Sequence, residues 1–321
     1  MSLSNIVTRN LRRLAQRTGL TKASSYRIFD VELKERLALS PALTRFTFTG
    51  PEVGQMKTLA ADQRIKLFFP SADGNPPELP LEADWHKASR DLPSDRRPPM
   101  RTYTIRNLRP QMKEVDVDFV LHGETGPASA WATHASPGDR LQMVAPDIGY
   151  PGDPGGYEWR PPTDVRHVLL IGDETALPAI AGIIEQLAER RDTPVVQAFL
   201  EIPTEQDALP LSCGPLTRLH WLPRAETGAR HGARMIEAAH ELATLPSSAP
   251  REENWMPLDQ VDIDRELPWE LANPVDTAFY AWVAGESAAV MAIRRHFIGE
   301  LGLDRRASSF MGYWRYGKVL G

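Results

Sequence analysis

The chain of 321 residues contains a single cysteine, Cys213, so no disulfide can form within it. That scarcity fits a reducing compartment, the cytoplasm. The flanking SCGPL offers the thiol no cation, so Cys213 reads as an inert, buried group. No Cys/His spacing suits zinc or an iron–sulfur cluster, and the eight histidines are scattered. No apolar run is long enough to span a bilayer, and the N-terminus lacks the apolar centre of a signal peptide. Internal repeats are absent. Positive charge is not in excess either: the formal net charge of −5 argues against nucleic acid and against anionic membrane. One local exception, TRNLRRLAQRTGLTK at 8–22, reads as a solvated helix face.

What is present falls into two patterns. From Tyr26 to about Ala145, short segments alternate polar with β-branched or aromatic residues: YRIFDVELKERLAL, LTRFTFTG, IKLFFP, TYTIRNL, EVDVDFVLH and RLQMVAP. Their spacing predicts a small antiparallel β-barrel, interrupted by one helix at PASAWATHA. The proline-rich stretch from Pro70 to Pro99 is expected to leave the barrel as a surface excursion. After PGDPGGYEWRPPTD, strands (VRHVLLIG, PVVQAFLEI, TRLHWLP, AFYAWVAG, SSFMGYWRYG) alternate with helices (ALPAIAGIIEQLAERR, ARMIEAAHELATL, ESAAVMAIRRHFIGEL). This alternation predicts a C-terminal α/β domain with a parallel sheet, which binds ligands beyond the carboxyl ends of its strands. The expected division is a basic segment at 1–22, a barrel domain at 23–155 and an α/β domain at 156–321. An irregular insert at 246–274 carries Trp255 and Trp269, expected to anchor a loop.

In RTYTIR, strand geometry places Arg101, Tyr103 and Ile105 on one face and Thr102, Thr104 and Arg106 on the other. A cation beside an aromatic plane suits a ligand with a phosphate and a flat ring; an exposed strand whose arginine covers its own tyrosine is the plainer alternative. In HGETGPASAWA, Gly123 and Gly126 permit a tight turn, Pro127 suits a first helical turn, and Ala128 to Ala130 offer small side chains and free amides. Such a helix start can take phosphate.

The two motifs together resemble the flavin domain of the ferredoxin-reductase-like superfamily. With GDETALPAI (172–180), WVAGES (282–287) and GYWRYG (312–317), the set resembles the siderophore-interacting protein family of FAD-dependent ferric-siderophore reductases, over about Tyr26 to Gly317. The resemblance implies that Arg101 neutralises the FAD pyrophosphate, Tyr103 packs on the isoalloxazine and Thr104 lies near its reactive edge. The turn His122, Gly123, Gly126, Pro127, Ala128 and Ser129 would hold the diphosphate and ribityl chain, with Trp131 and Ala132 as packing residues.

GDETALPAI lacks the G-x-G-x-x-G fingerprint, and Asp173 and Glu174 would repel a phosphate, so this turn is not a pyrophosphate cradle. By resemblance it faces flavin and nicotinamide, with Thr175 closest and Ala176 beside it. A capped helix start reads these residues equally well. In WVAGES, Gly285 would admit a ligand close to the backbone, flanked by Glu286, and Ser287 would donate. Arg224, Arg294 or Arg295 suits a 2′-phosphate and Glu201 a ribose hydroxyl, so NADPH and NADH both remain open.

By resemblance Lys66 and Arg315 dock an anionic ferric siderophore, and no permanent iron ligand is expected in the protein. Asp147, where relatives commonly carry arginine, argues for a less charged complex such as a hydroxamate. The chain ends four residues past Gly317, where many relatives continue into another helix, implying a more open substrate side. Two alternatives keep the fold: a flavin reductase serving a protein acceptor such as a ferredoxin, and a non-catalytic siderophore carrier.

Overall fold

In the computed structural model, the described residues are 24–71, 74–81, 84–124, 126–246, 267–273 and 278–318. The basic segment 1–22 and Trp255 lie outside them.

The first sheet has seven antiparallel strands: β1 (Tyr26–Ala38), β2 (Leu43–Thr49), β3 (Arg64–Phe68), β4 (Met100–Thr104), β5 (Asn107–Arg109), β6 (Glu114–Val120) and β7 (Arg140–Pro146). Their order is β4-β3-β7-β1-β2-β6-β5. TYTIRNL is therefore two strands rather than one, and they form the two edges of the sheet. Only Ile105 and Arg106 separate them, so the sheet must curl until its edges meet. The Arg106 amide marks the seam, donating to the Asp116 carbonyl at 2.9 Å.

Alternation in EVDVDFV explains how β6 serves this shape. Val115, Val117 and Phe119 are fully buried in the barrel core. The intervening acids are buried too, and each carboxylate is matched: Asp116 by Arg109 at 2.6 and 2.7 Å, Asp118 by Arg45 at 2.7 and 2.9 Å. The stretch between β3 and β4 is less detached than its prolines suggest. It forms helix α1 (Trp85–Arg90) and packs Leu79 against Ile28, Phe68 and Val144. Helix α2 (Pro127–His134) closes the barrel, with Trp131 meeting Phe46, Phe48, Phe69 and Phe119 at ring-centroid distances of 5.6, 6.1, 5.7 and 6.0 Å.

The second sheet runs β10-β9-β8-β12-β13-β11. Its strands are β8 (His167–Gly172), β9 (Val195–Ile202), β10 (Thr217–Pro223), β11 (Trp269–Glu270), β12 (Phe279–Glu286) and β13 (Ser308–Trp314). All are parallel except β11, an antiparallel edge contributed by the insert, so the sheet is mixed. Helix α3 (Leu177–Ala188) covers one face; α4 (Ala233–Glu241) and α5 (Ser287–Arg294) cover the other. Alternate residues of β8 accordingly enter different cores, Val168 and Leu170 beneath α3, Leu169 and Ile171 beneath α4 and α5. The chain builds outward from β8 through β9 and β10, then returns to its other side for β12 and β13. The switch point is thus between β8 and β12. Cys213 is exposed, which corrects the buried reading; its local burial still raises the thiol pKa.

Barrel and α/β unit are pinned together by polar contacts. Arg106 reaches Glu185 on α3 at 2.6 Å, and Asp207 accepts from the Ala42 amide and the Ser40 hydroxyl. Asp62, before β3, accepts from the amides of Glu158 and Trp159 in the connecting segment at 2.8 and 2.9 Å. Its second oxygen is buried without a described partner, and burial pushes the carboxyl up to about 6 despite those amides. The folded value exceeds the unfolded one, so this group's contribution to stability is lost as pH rises from about 4 through 6, by roughly 3 kcal/mol at most. Asp62→Asn keeps the acceptor and removes the charge. Its melting temperature relative to wild type should therefore climb between pH 4 and pH 8; a pH-independent difference would contradict this.

Candidate functional site

On the barrel, the RTYT strand and the PASAWA helix are joined through aromatic contacts. Tyr103 stacks on Phe119 at 4.2 Å and meets Phe69 edge-on at 6.5 Å, and both rings also touch Trp131 of α2. Tyr103 therefore has one face taken by the barrel interior, and burial pushes its phenol above the ordinary value. Arg101 shares its face of β4. It is half-buried, it donates to the Met100 carbonyl at 2.7 Å, and no carboxylate among the described residues pairs with it. Helix α2 starts on Gly126 in extended conformation, with no side chain capping its first amides. Gly123 has a φ of +81°, and a Cβ added at Gly123 or Gly126 would meet nothing within 4 Å. In the same turn, Glu124 pairs with His134 at 2.9 Å. A half-buried cation with no described carboxylate partner and a set of uncapped helical amides on an open turn are each chemistry that suits a pyrophosphate.

At the switch point the sequence expectations need revision. Asp173, at the end of β8, is buried and receives four hydrogen bonds. Oδ1 accepts from the Thr175 amide at 2.9 Å and hydroxyl at 2.5 Å; Oδ2 accepts from the Glu286 amide at 2.8 Å and from Trp314 Nε1 at 2.7 Å. Burial and the Glu174 charge push its carboxyl up to about 7, opposed by these donors. Asp173 is thus a hub joining the ends of β8, β12 and β13. The hub itself requires Gly285: its φ is +145°, and a Cβ there would lie 2.6 Å from Asp173 Oδ2. Ser287 is committed as well, donating to the Trp314 carbonyl at 2.7 Å. Glu286 caps α5, accepting from the amides of Ala288 and Ala289. Thr175, half-buried, and the fully buried Ala176 follow Asp173 into α3.

The charged candidates for a nicotinamide ribose pair with one another. Arg224 forks onto Glu174 at 2.6 and 2.7 Å and reaches Glu201 at 3.0 Å. Glu201, fully buried, also accepts from the amides of Gly232, Arg234 and Met235 at the start of α4. Both are therefore structural in this arrangement, and so is Arg294, bound to Glu270 at 2.5 Å. Arg295 continues the helix into a π-helical turn. His231 lies beside this cluster, against Trp314 at 5.1 Å and the exposed Tyr316 at 5.4 Å. Burial and Arg224 lower its pKa, favouring neutral imidazole.

The opposite face of β3 and β4 carries the substrate candidates. Lys66 is half-buried, donates to the Thr102 hydroxyl at 3.0 Å, and has no carboxylate partner among the described residues. Burial, then Arg64, lowers its pKa. Thr104 is buried and sits across from Arg64 in the strand register. Arg64 pairs with Glu158 at 2.7 Å and lies 4.4 Å from the ring centre of Trp269, which stacks on Tyr313. Trp269 thus bridges both units, a role its position in the insert did not disclose. Arg315 follows Trp314 and bridges to Lys318. Asp147 is buried, and its charge is matched by Arg27 at 2.8 Å. Its carboxylate therefore gives no reason to prefer a weakly charged substrate.

Comparison with known proteins agrees with this geometry. Residues 32–150 match the profile of the siderophore-interacting FAD-binding domain, and residues 165–317 that of the siderophore-interacting protein. An uncharacterized protein of Mycobacterium tuberculosis is 31% identical over 267 residues, covering 80% of this chain and 79% of the relative. Ferric vibriobactin reductase ViuB of Vibrio cholerae is 28% identical over 280 residues, covering 87% and 86%. The crystal structure of a siderophore utilization protein from T. fusca superposes with a TM-score of 0.67 at 25% identity, covering 93% of this chain and 96% of that one.

Gly285→Ala tests the hub. The strained φ and the collision with Asp173 should cost about 2 kcal/mol or more, read as a lower urea midpoint. An unchanged midpoint would contradict the assignment.

Proposed function

The chain belongs to the siderophore-interacting protein family, and from that membership we propose that it is an NAD(P)H-dependent, FAD-containing reductase that releases iron from ferric siderophores. Two observations carry the reading: Arg101 is half-buried with no carboxylate partner among the described residues, and the start of α2 is uncapped, on a helix whose Trp131 shares Phe119 with Tyr103 of the arginine's own strand. The similarity to ViuB supports ferric reduction as the activity.

FAD, when bound, supplies the conversion of a two-electron hydride donor into single electrons. The protein's own part is positioning. Arg101 and the amides of Ala128 and Ser129 would neutralise the pyrophosphate, and the turn from His122 to Ser129 would let the backbone approach it. Tyr103 and Thr104 of β4 and Thr175 in the turn before α3 would line the ring. The Asp173 hub fixes Thr175 and Trp314 relative to each other, so donor and acceptor meet a rigid floor. Asp173, Gly285, Glu286 and Ser287 act through that frame, while His231, Trp314 and Tyr316 form the aromatic wall a nicotinamide would meet.

Lys66 supplies the docking charge for an anionic ferric complex, with Arg315 on the α/β side. Its half-buried ammonium is less screened than an exposed lysine, so it favours an anion more strongly. Ferric ion prefers hard anionic oxygen ligands; one electron lowers its charge and loosens that grip. Nothing in this requires an iron ligand from the protein. A nicotinamide pool and the exposed Cys213 both suit the cytoplasm.

Electron counting sets the test. Under anaerobic conditions each NADH or NADPH consumed should yield two trapped ferrous ions from a ferric hydroxamate or catecholate. Lys66→Ala should raise KM for the anionic complex several-fold with kcat nearly unchanged. Nicotinamide oxidation without ferrous product would move the acceptor elsewhere; no oxidation at all would leave only a carrier.

A further inference from the structure

Two helices of the α/β unit bring together a donor set that the proposed chemistry does not use. His240 lies in the last turn of α4, and His296 and Glu300 lie in the π-helical turn Arg295–Glu300 that extends α5. The two imidazoles stack with centroids 3.6 Å apart and an interplanar angle of 24°. Glu300 Oε2 lies 2.6 Å from His296 Nδ1. One ligating atom from each of the three residues lies within 4.8 Å of the others. We propose that His240, His296 and Glu300 form a binding site for a divalent transition-metal ion of the zinc class, which clamps the end of α4 to the end of α5.

The chemistry favours such an ion. Two imidazoles and one carboxylate are borderline donors that suit zinc and its neighbours, whereas magnesium and calcium want all-oxygen shells. A tetrahedral ion with bonds of about 2.0–2.1 Å holds its ligand atoms roughly 3.4 Å apart, so the three groups are already near their bound spacing. The stacked rings must open into a wedge, because each nitrogen lone pair lies in its own ring plane. His240 and Glu300 are exposed and free to make that adjustment. His296 is the fixed member: its carbonyl accepts the five-residue bond from the Leu301 amide at 2.9 Å, and the adjacent Phe297 is fully buried. The π turn thus aims His296 at α4. The positive charge of Arg295 also acts on Glu300.

The site is remote from the switch point. Both helices start there, α4 on the amides held by Glu201 and α5 on Glu286, and the metal ligands lie at their far ends. Nine residues of α4 amount to about 13 Å of helix. Metal binding can therefore be read independently of flavin and of turnover.

The experiment uses tag-free, chelator-stripped protein titrated with Zn²⁺ by calorimetry and with Co²⁺ by its visible ligand-field absorption. One equivalent of Zn²⁺ should bind, Mg²⁺ and Ca²⁺ should not, and Zn²⁺ should raise the melting temperature. His240→Ala and Glu300→Gln, both at exposed positions, should each lower Zn²⁺ affinity at least tenfold with flavin content unchanged. Less than one equivalent in the wild type, or undiminished binding in either variant, overturns the proposal.

Discussion

The carboxyl-end junction of the α/β sheet depends on the carboxylate of Asp173. Three strand ends converge there, and parallel strands supply no turn to join them. Asp173 joins them by accepting from Thr175 after β8, from the Glu286 amide on β12 and from the Trp314 indole on β13. The cost is a buried charge, visible in a carboxyl pushed up to about 7. The return is a rigid junction at the crevice where a doubly wound sheet binds its ligand. Gly285 follows from this constraint, since any side chain there would enter the carboxylate's space.

Charge on the barrel is sorted by partner. Of the buried and half-buried cations on its strands, Arg27, Arg45, Arg64 and Arg109 each pair with a described carboxylate. Arg101 and Lys66 do not, and they lie on opposite faces of the β3–β4 pair. A cation left half-buried without a protein anion is costly unless something else neutralises it. That asymmetry, rather than the number of arginines, is what leads the proposed function to give one to the cofactor phosphates and the other to the substrate.

The fold was legible where periodicity was strong. RLQMVAP and TRLHWLP occupy the strands their alternation or apolar content predicts, and PASAWATHA is the helix its proline start suggests. TYTIRNL was misread because the change of sheet edge happens within two residues, which no local pattern marks. The site was half legible. The cation, aromatic ring and glycine-flanked helix start of RTYT and HGETGPASAWA can be read locally, whereas the Asp173–Trp314 contact spans 141 residues of sequence. Arg224 and Glu201 look like ribose and phosphate ligands in isolation; only the fold shows them neutralising each other. Asp147 looks like a charge facing the substrate until Arg27 is seen against it.

The central claim is that Arg101 and the start of α2 grip the FAD pyrophosphate together. Titration of flavin-free protein with FAD, followed by fluorescence quenching, tests it most directly when wild type is compared with Arg101→Ala. Loss of one charge-assisted contact of about 1.5–3 kcal/mol predicts a Kd raised roughly 10- to 100-fold with the folded state intact. Equal affinity in the two proteins would contradict the account.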